Sequence, residues 1–449
     1  EPYRRQRQMC IRDSFKVLLK ELQSLGLDVR VLREDNTEVE IMETVDMGET
    51  DFRSLIEGDR KYRQEENLGA QGYTEQEFEG EELVDVEEEP EEDDFAIEFE
   101  ETDVWDALAA DKKPVAVYGM GNAAERIIAV LNEKGIEISE IFASDEFVRG
   151  HSFLGHKVLK YSEVCEKYGD FNVVLSFASH LENVIENIKK INGEHRVYAP
   201  DIPVAGNGLF TGKYFKEHEN EFRYVYDRLA DEESKRVYEN IIKFKISGKI
   251  EYLLDSWETD KNRIYADILK LGEHERIIDA GAYDGDTIRE FTSFTNGNYD
   301  FITALEPDAK NFRKLSKNTA EMDNINLINA AAWDKKDTLI FSAKAGRNSK
   351  LSAEGRTVDA VDIDSIANDG TTFIKMDVEG SEMKALCGCE KTIKKYAPKL
   401  YICAYHRNED MFALPLKIWQ MNGKYKIYFR HSVYIPAWES NFYCVAEDD

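Results

Sequence analysis

No apolar run in this 449-residue chain approaches the roughly 18 residues of a membrane span. Nothing near its start has the apolar core of a signal peptide. Cysteine is scarce, six in all, too few to frame a chain of this length with disulfides. A reducing, cytoplasmic setting is the expectation that follows. Cys387-Gly388-Cys389 is too tight a pair for the usual zinc spacing and reads as buried thiols. Lys and Arg are missing altogether from residues 75–106, which hold 18 Asp or Glu. That one segment carries more than half of the net charge of −31. The acidity therefore describes a segment and not the folded surface, and it speaks against nucleic acid as a partner.

What is present suits two or three domains with sizeable cores, at 42% hydrophobic residues. Residues 1–106 read as an acidic, largely disordered N-terminal region. Within it, residues 1–14 are basic and resemble translated adapter sequence, so the natural start is expected to be missing; a basic tail is the alternative. Phe15–Gly26 has helical periodicity, and Val29–Leu32 with Val39–Met42 suggests a short hairpin. Residues 71–103 have few large apolar side chains and are expected to form a disordered spacer.

Residues 107–206 read as a small Rossmann-like domain. Val115–Tyr118 is a strand signal that runs into Gly119-Met120-Gly121-Asn122-Ala123-Ala124, a G-x-G-x-x-A turn before a helix. Asp145 ends the next strand, where a ribose acceptor would stand. The pattern is permissive: nucleotide or sugar-nucleotide binding and a domain kept for packing remain equally open. His151, His156 and His180 are scattered and read as structural or exposed. Residues 207–262 are helical in pattern and form a connector. Tyr252–Trp257 within it reads as an ordinary packing helix, with a pocket floor as the alternative.

The chemistry concentrates in residues 263–449. Arg276–Thr287 runs as an apolar strand into Asp279, Gly281, Tyr283, Asp284, Gly285 and Asp286, then into a helix start. Glycines there let a ligand approach the backbone, and the carboxylates favour a ligand with positive charge and hydroxyls over a bare pyrophosphate. S-adenosylmethionine, a sulfonium with a ribose, fits. Phe301–Leu305 is a second strand ending in Glu306-Pro307-Asp308, and Glu306 is placed to accept from ribose hydroxyls, with an ordinary strand end and a solvated Glu as the alternative. Ala331, Ala332 and Trp333 fall where an adenine would lie, with Trp333 either stacked on it or core.

A third strand, Phe373–Met376, leads into Asp377-Val378-Glu379-Gly380-Ser381-Glu382. Lys375, Asp377 and Glu379 at a buried strand end would be costly unpaired, and they read as the lining of an active-site mouth, with an internal Lys–acid network as the alternative. His406 ends a fourth strand; Arg430 and His431 lie on a fifth. No cysteine is placed as a nucleophile. No metal motif is convincing, although Asp377, Glu379, His406 and His431 could in principle meet an ion.

Taken in order, Ile277–Thr287, Ala304–Asp308, Ile363–Ile366, Phe373–Glu382, Pro398–His406 and Phe429–Ser432 resemble the successive motifs of the FkbM family of S-adenosylmethionine-dependent methyltransferases. The resemblance covers roughly residues 250–447. It implies an α/β fold: a class I methyltransferase Rossmann-like sheet of seven strands, preceded here by the smaller Rossmann-like domain and the acidic region. It implies methyl transfer to a hydroxyl of a sugar, glycan or natural product, with Asp279, Gly281 and Gly285 as the cofactor turn, Glu306 on the ribose and Asp377 beside the methyl. Tyr283, Asp284, Pro307, Ala332 and Trp333 complete the expected cofactor surface, and His406 is the first choice of general base, with Asp377 or Glu379 orienting or replacing it. Arg430-His431-Ser432 lacks an aromatic that often follows the His. The first domain resembles those at the N-terminus of sugar-modifying enzymes. Different in class is a nucleotide-sensing scaffold built on Gly119 and Gly121, and weaker still a nicotinamide oxidoreductase. Oligomeric state is not legible.

Overall fold

The computed structural model describes residues 102–447, apart from 122, 147, 149, 151, 207, 342–355 and 368–369, together with strands β1 (Gln76–Glu79) and β2 (Glu82–Asp85). The features expected in residues 1–70 lie outside this range. β1 and β2 form an antiparallel hairpin inside the segment read as a spacer, with Phe78 opposite Leu83.

The first domain begins earlier than residue 107. The helix Val104–Ala110, capped by Asp103, buries Val104, Trp105 and Leu108. They join Val117, Ile127, Leu131 and Ile141 in one core. The sheet runs β5 (Ser152–Phe153), β6 (His156–Lys160), β4 (Ile138–Ala143), β3 (Val115–Tyr118), β7 (Asn172–Leu175), β8 (Arg196–Tyr198). All pairs are parallel except β5 with β6. β3 and β7 are buried on both faces, as unbroken Val/Ala/Leu runs require.

Four helices between Gly212 and Leu254 form the connector. Two ion pairs fasten it, one buried and one half-buried. Lys245 Nζ lies 2.6 Å from Asp201 Oδ2, tying the helix Glu232–Ser247 to the end of the first domain. Arg430 Nη2 lies 2.7 Å from Asp231 Oδ2, tying the same helix to the last sheet. A two-residue strand, β9 (Trp257–Glu258), ends the connector.

The second domain carries an eight-stranded sheet in the order β12 (Ile325–Ile328), β11 (Phe301–Leu305), β10 (Arg276–Ala280), β16 (Phe373–Met376), β17 (Lys399–Cys403), β19 (Ser440–Ala446), β18 (Tyr425–Ser432), β9. β19 is antiparallel to both neighbours; the remaining pairs are parallel. β9 extends the edge beyond the seven strands expected, pairing with β18 at His431 and Ser432. The apolar stretch Asn326–Trp333 is not one strand, because β13 (Ala331–Trp333) leaves to join β15 (Arg356–Asp362) and β14 (Asp337–Phe341) in a separate sheet. Ile277, Ile302, Phe291, Phe373 and Tyr443 form the core under the main sheet. Strand order reverses between β10 and β16, which fixes the ligand crevice at their carboxyl ends.

Candidate active site

The turns after β10 and β16 touch. Gly281 has φ +85, and a Cβ there would stand 1.8 Å from the carbonyl oxygen of Asp377. No side chain fits. Below that contact, Lys375 is 2% exposed and donates to the Gly281 carbonyl at 3.0 Å. Its ammonium lies 3.3 Å from Asp279 and 3.8 Å from Asp377. Burial alone would depress Lys375, but the two carboxylates outweigh it and push its pKa up. Asp279 also accepts from the Thr287 hydroxyl at 2.8 Å. It is fully buried, so it holds the turn together from beneath and is not at the ligand surface.

A cavity of about 710 Å3 opens above these turns. At one end are Gly281, Tyr283, Glu306, Pro307 and Ala332. Glu306 is 6% exposed; its oxygens accept from the backbone of Tyr283 at 3.0 Å and Asp308 at 2.8 Å. Burial pushes its pKa up to about 7 despite those bonds. Each oxygen keeps a lone pair for a further donor, which matches a pair of ribose hydroxyls. The sequence-expected contacts Asp284, Gly285 and Trp333 are not at this surface. Asp284 pairs with Arg289 at 3.4 Å, and Gly285 caps the helix Asp286–Phe294. The Trp333 ring lies against Lys384, 5.8 Å from its Nζ, because β13 has turned away from the main sheet.

Asp377, Glu379 and His406 line the same cavity. Glu379 has φ +55, a left-handed backbone that turns its carboxylate towards the cavity. His406 is 1% exposed. Its Nε2 lies 3.6 Å from Asp377 Oδ1 and 3.7 Å from Glu379 Oε2, and its Nδ1 lies 2.9 Å from Glu382 Oε1. Burial alone would lower the imidazole, but the three carboxylates push it up to about 10. His406 is therefore charged at neutral pH, and the expected role of resting base does not fit it. Burial pushes Glu379 up to about 8, with the His406 charge working against the rise.

His431 is buried elsewhere. Its Nδ1 faces Ser440 Oγ at 3.0 Å and its Nε2 the Tyr434 carbonyl at 3.2 Å. Burial lowers it to about 4, so it is neutral packing. Arg430 serves the connector. Trp257 donates to the Tyr434 carbonyl at 3.4 Å and does not line the cavity.

The far wall was not legible as site. It comes from Phe177 and His180 of the first domain and from Tyr434 and Trp438 of the β18–β19 connection. His180 stacks on Tyr434 with ring centres 5.6 Å apart, and Tyr434 on Trp438 at 6.1 Å. Paired backbone bonds between Ser179 and Ile435, at 2.8 and 3.0 Å, lock this wall to the second domain. The glycines of the first turn have a packing reason: a Cβ on Gly119 or Gly121 would stand 2.3 or 2.6 Å from the Phe177 side chain. Asp145 accepts from Ser162 N at 3.2 Å and does not line the cavity. Among the described residues no helix is long and apolar enough to cross a membrane.

The sheet order and the paired turns define an S-adenosylmethionine-dependent methyltransferase fold of class I. Residues 279–427 match the family model for the methyltransferase FkbM domain, and the chain carries that domain. The crystal structure of methyltransferase FkbM from Methylobacillus flagellatus KT superposes with a TM-score of 0.58 at 21% identity, covering 76% of this chain and 97% of that one. Residues 263–449 alone could not supply that share, so the common fold reaches into the preceding domains. Aeropyrum pernix fibrillarin, solved with natively bound S-adenosyl-L-methionine, is a fainter likeness: TM-score 0.27, 14% identity, 39% of this chain and 70% of that one. A stretch of 60 residues is 52% identical to the β subunit of DNA-directed RNA polymerase from Alkaliphilus metalliredigens (strain QYMF), covering 13% of this chain and 5% of that subunit. The chain thus spans about a twentieth of the length of that curated relative.

Proposed function

We propose that this protein is an O-methyltransferase that moves the methyl group of S-adenosylmethionine to a hydroxyl of a sugar, glycan or hydroxylated natural product. The observation that carries the reading is the single cavity joining Glu306 to Asp377, Glu379 and the aromatic wall. Glu306 would hold the ribose, Pro307 and Ala332 the adenine edge, and the acids near Gly281 the cationic end. The sulfonium supplies an activated methyl group; the protein must align the acceptor and take its proton.

Glu379 suits the proton. A carboxylate poised near 8 is a far better match for a hydroxyl than an ordinary one near 4. The charged His406 stands beside it and offsets the oxyanion that develops. Tyr434, Trp438 and His180 offer flat faces against which the C–H face of a sugar ring packs well. No described feature places a hydride donor or a second nucleotide at the first turn, where Phe177 occupies the glycine face.

The test is calorimetric titration of S-adenosylhomocysteine into the full chain and into Glu306→Ala, followed by S-adenosylmethionine turnover against a panel of methyl glycosides and polyhydroxylated lactones. Micromolar binding lost in the variant supports the reading. A folded wild type that binds no S-adenosylhomocysteine would end it.

A further inference from the structure

The cluster around His406 holds more carboxylate than one imidazole can match. Asp377, Glu379 and Glu382 face the ring, and Asp410, 2% exposed, lies behind it. The neighbouring cation Lys375 is already shared with Asp279. Two polar atoms in the cluster are buried and have no hydrogen-bond partner: His406 Nδ1 and Glu382 Oε2. Their residues are 1% and 0% exposed. Nδ1 stands 2.9 Å from Glu382 Oε1, which also accepts from the Val378 amide at 2.9 Å. The 2.9 Å between Nδ1 and Oε1 is the spacing of neighbouring ligands of one ion, whose cis ligands stand about 3 Å apart at metal–ligand bonds of about 2.1 Å.

We propose that Asp377, Glu382 and His406 bind one divalent cation at the floor of the acceptor end of the cavity. Each brings a ligand atom to within 4.8 Å of the other two. Two carboxylates and an imidazole suit Mn2+ or Zn2+ better than Ca2+, which prefers oxygen alone. Asp377 lines the cavity with its side chain 31% exposed, which gives the ion an entry path and open coordination positions. Binding expels the His406 proton, and the ion then supplies the positive charge that the imidazolium supplies in the empty site. An acceptor oxygen bound there would lose its proton more easily, and Glu379, outside the ligand set, stays free to take it. The inference rests on the methyl-transfer reading for its role, but not for its test.

The full chain, stripped with EDTA and dialysed, is titrated with Mn2+ while the paramagnetic resonance of the free ion is followed, and with Zn2+ by calorimetry. Circular dichroism and thermal melts check folding throughout. One ion per wild-type chain is expected, with affinity at least tenfold weaker in Glu382→Gln, His406→Gln and Asp377→Asn. Glu306→Ala should keep the ion and lose S-adenosylhomocysteine, which separates this site from the cofactor site. A stripped, folded wild type that takes up neither ion overturns the proposal, whether or not it binds S-adenosylhomocysteine. So does an affinity that is the same in wild type and in every folded variant of the three.

Discussion

Glu306→Gln should make the empty protein more stable at high pH and less stable at low pH, while removing most of its affinity for the cofactor. In the fold the carboxyl is pushed from 4.5 up to about 7, chiefly by burial. The folded chain therefore binds that proton more tightly than the unfolded one, and the contribution of Glu306 to stability falls as pH rises from 4.5 to 7. At about 1.4 kcal/mol per pH unit the fall amounts to roughly 3 kcal/mol. Glutamine removes that slope. It also offers one acceptor where the Tyr283 and Asp308 amides need two, at a cost of about 1–2 kcal/mol. Near pH 8.5 the variant should thus gain about 1–2 kcal/mol, and near pH 5 lose about as much. Thermal melts at the two pH values should cross by a few degrees. At pH 8.5, S-adenosylhomocysteine should bind roughly two orders of magnitude more weakly, since hydrogen bonds to a charged group contribute about 1.5–3 kcal/mol each. Equal destabilisation at both pH values, with cofactor affinity within about threefold of wild type, would refute the argument.

Other outcomes follow from the same geometry. Stability should fall as pH rises from 6.5 to 10, because the folded protein holds the His406 proton up to about 10; His406→Gln should flatten that part of the melting profile. Gly281→Ala must displace the Asp377 carbonyl, so S-adenosylhomocysteine binding should drop by more than about tenfold, and a wild-type titration would show the contact is not as described. Arg430→Ala should cost about 2–3 kcal/mol in denaturant melts, by stripping Asp231 of its partner, and leave cofactor affinity unchanged. His431→Gln should likewise leave S-adenosylhomocysteine affinity unaltered in calorimetry, whereas a residue of the site would not.

The strand-to-turn segments were readable because their chemistry is local. Ile277–Gly285 and Ile374–Glu382 each combine an apolar strand with acids and glycine at its end, and a parallel sheet sends every such end to one edge. Glu306 was readable for the same reason. Trp333 was not, because nothing in Ala331–Trp333 says that the chain leaves one sheet for another. His431 and His406 look alike in sequence, each near a strand end; burial beside a hydroxyl makes one neutral, and three carboxylates make the other charged.

The sequence by itself determined the parallel sheet, the crevice at its carboxyl edge and the acid, Glu306, that lines it, since these depend on periodicity and on residues next to one another. Tertiary structure alone decided which acids share a histidine, that Phe177 fills the glycine turn of the first domain, and that His180 reaches across to stack on Tyr434. Those facts join residues from 24 to 254 positions apart in the chain, His406 with Glu382 and His180 with Tyr434, and only the packing of whole domains brings such residues together.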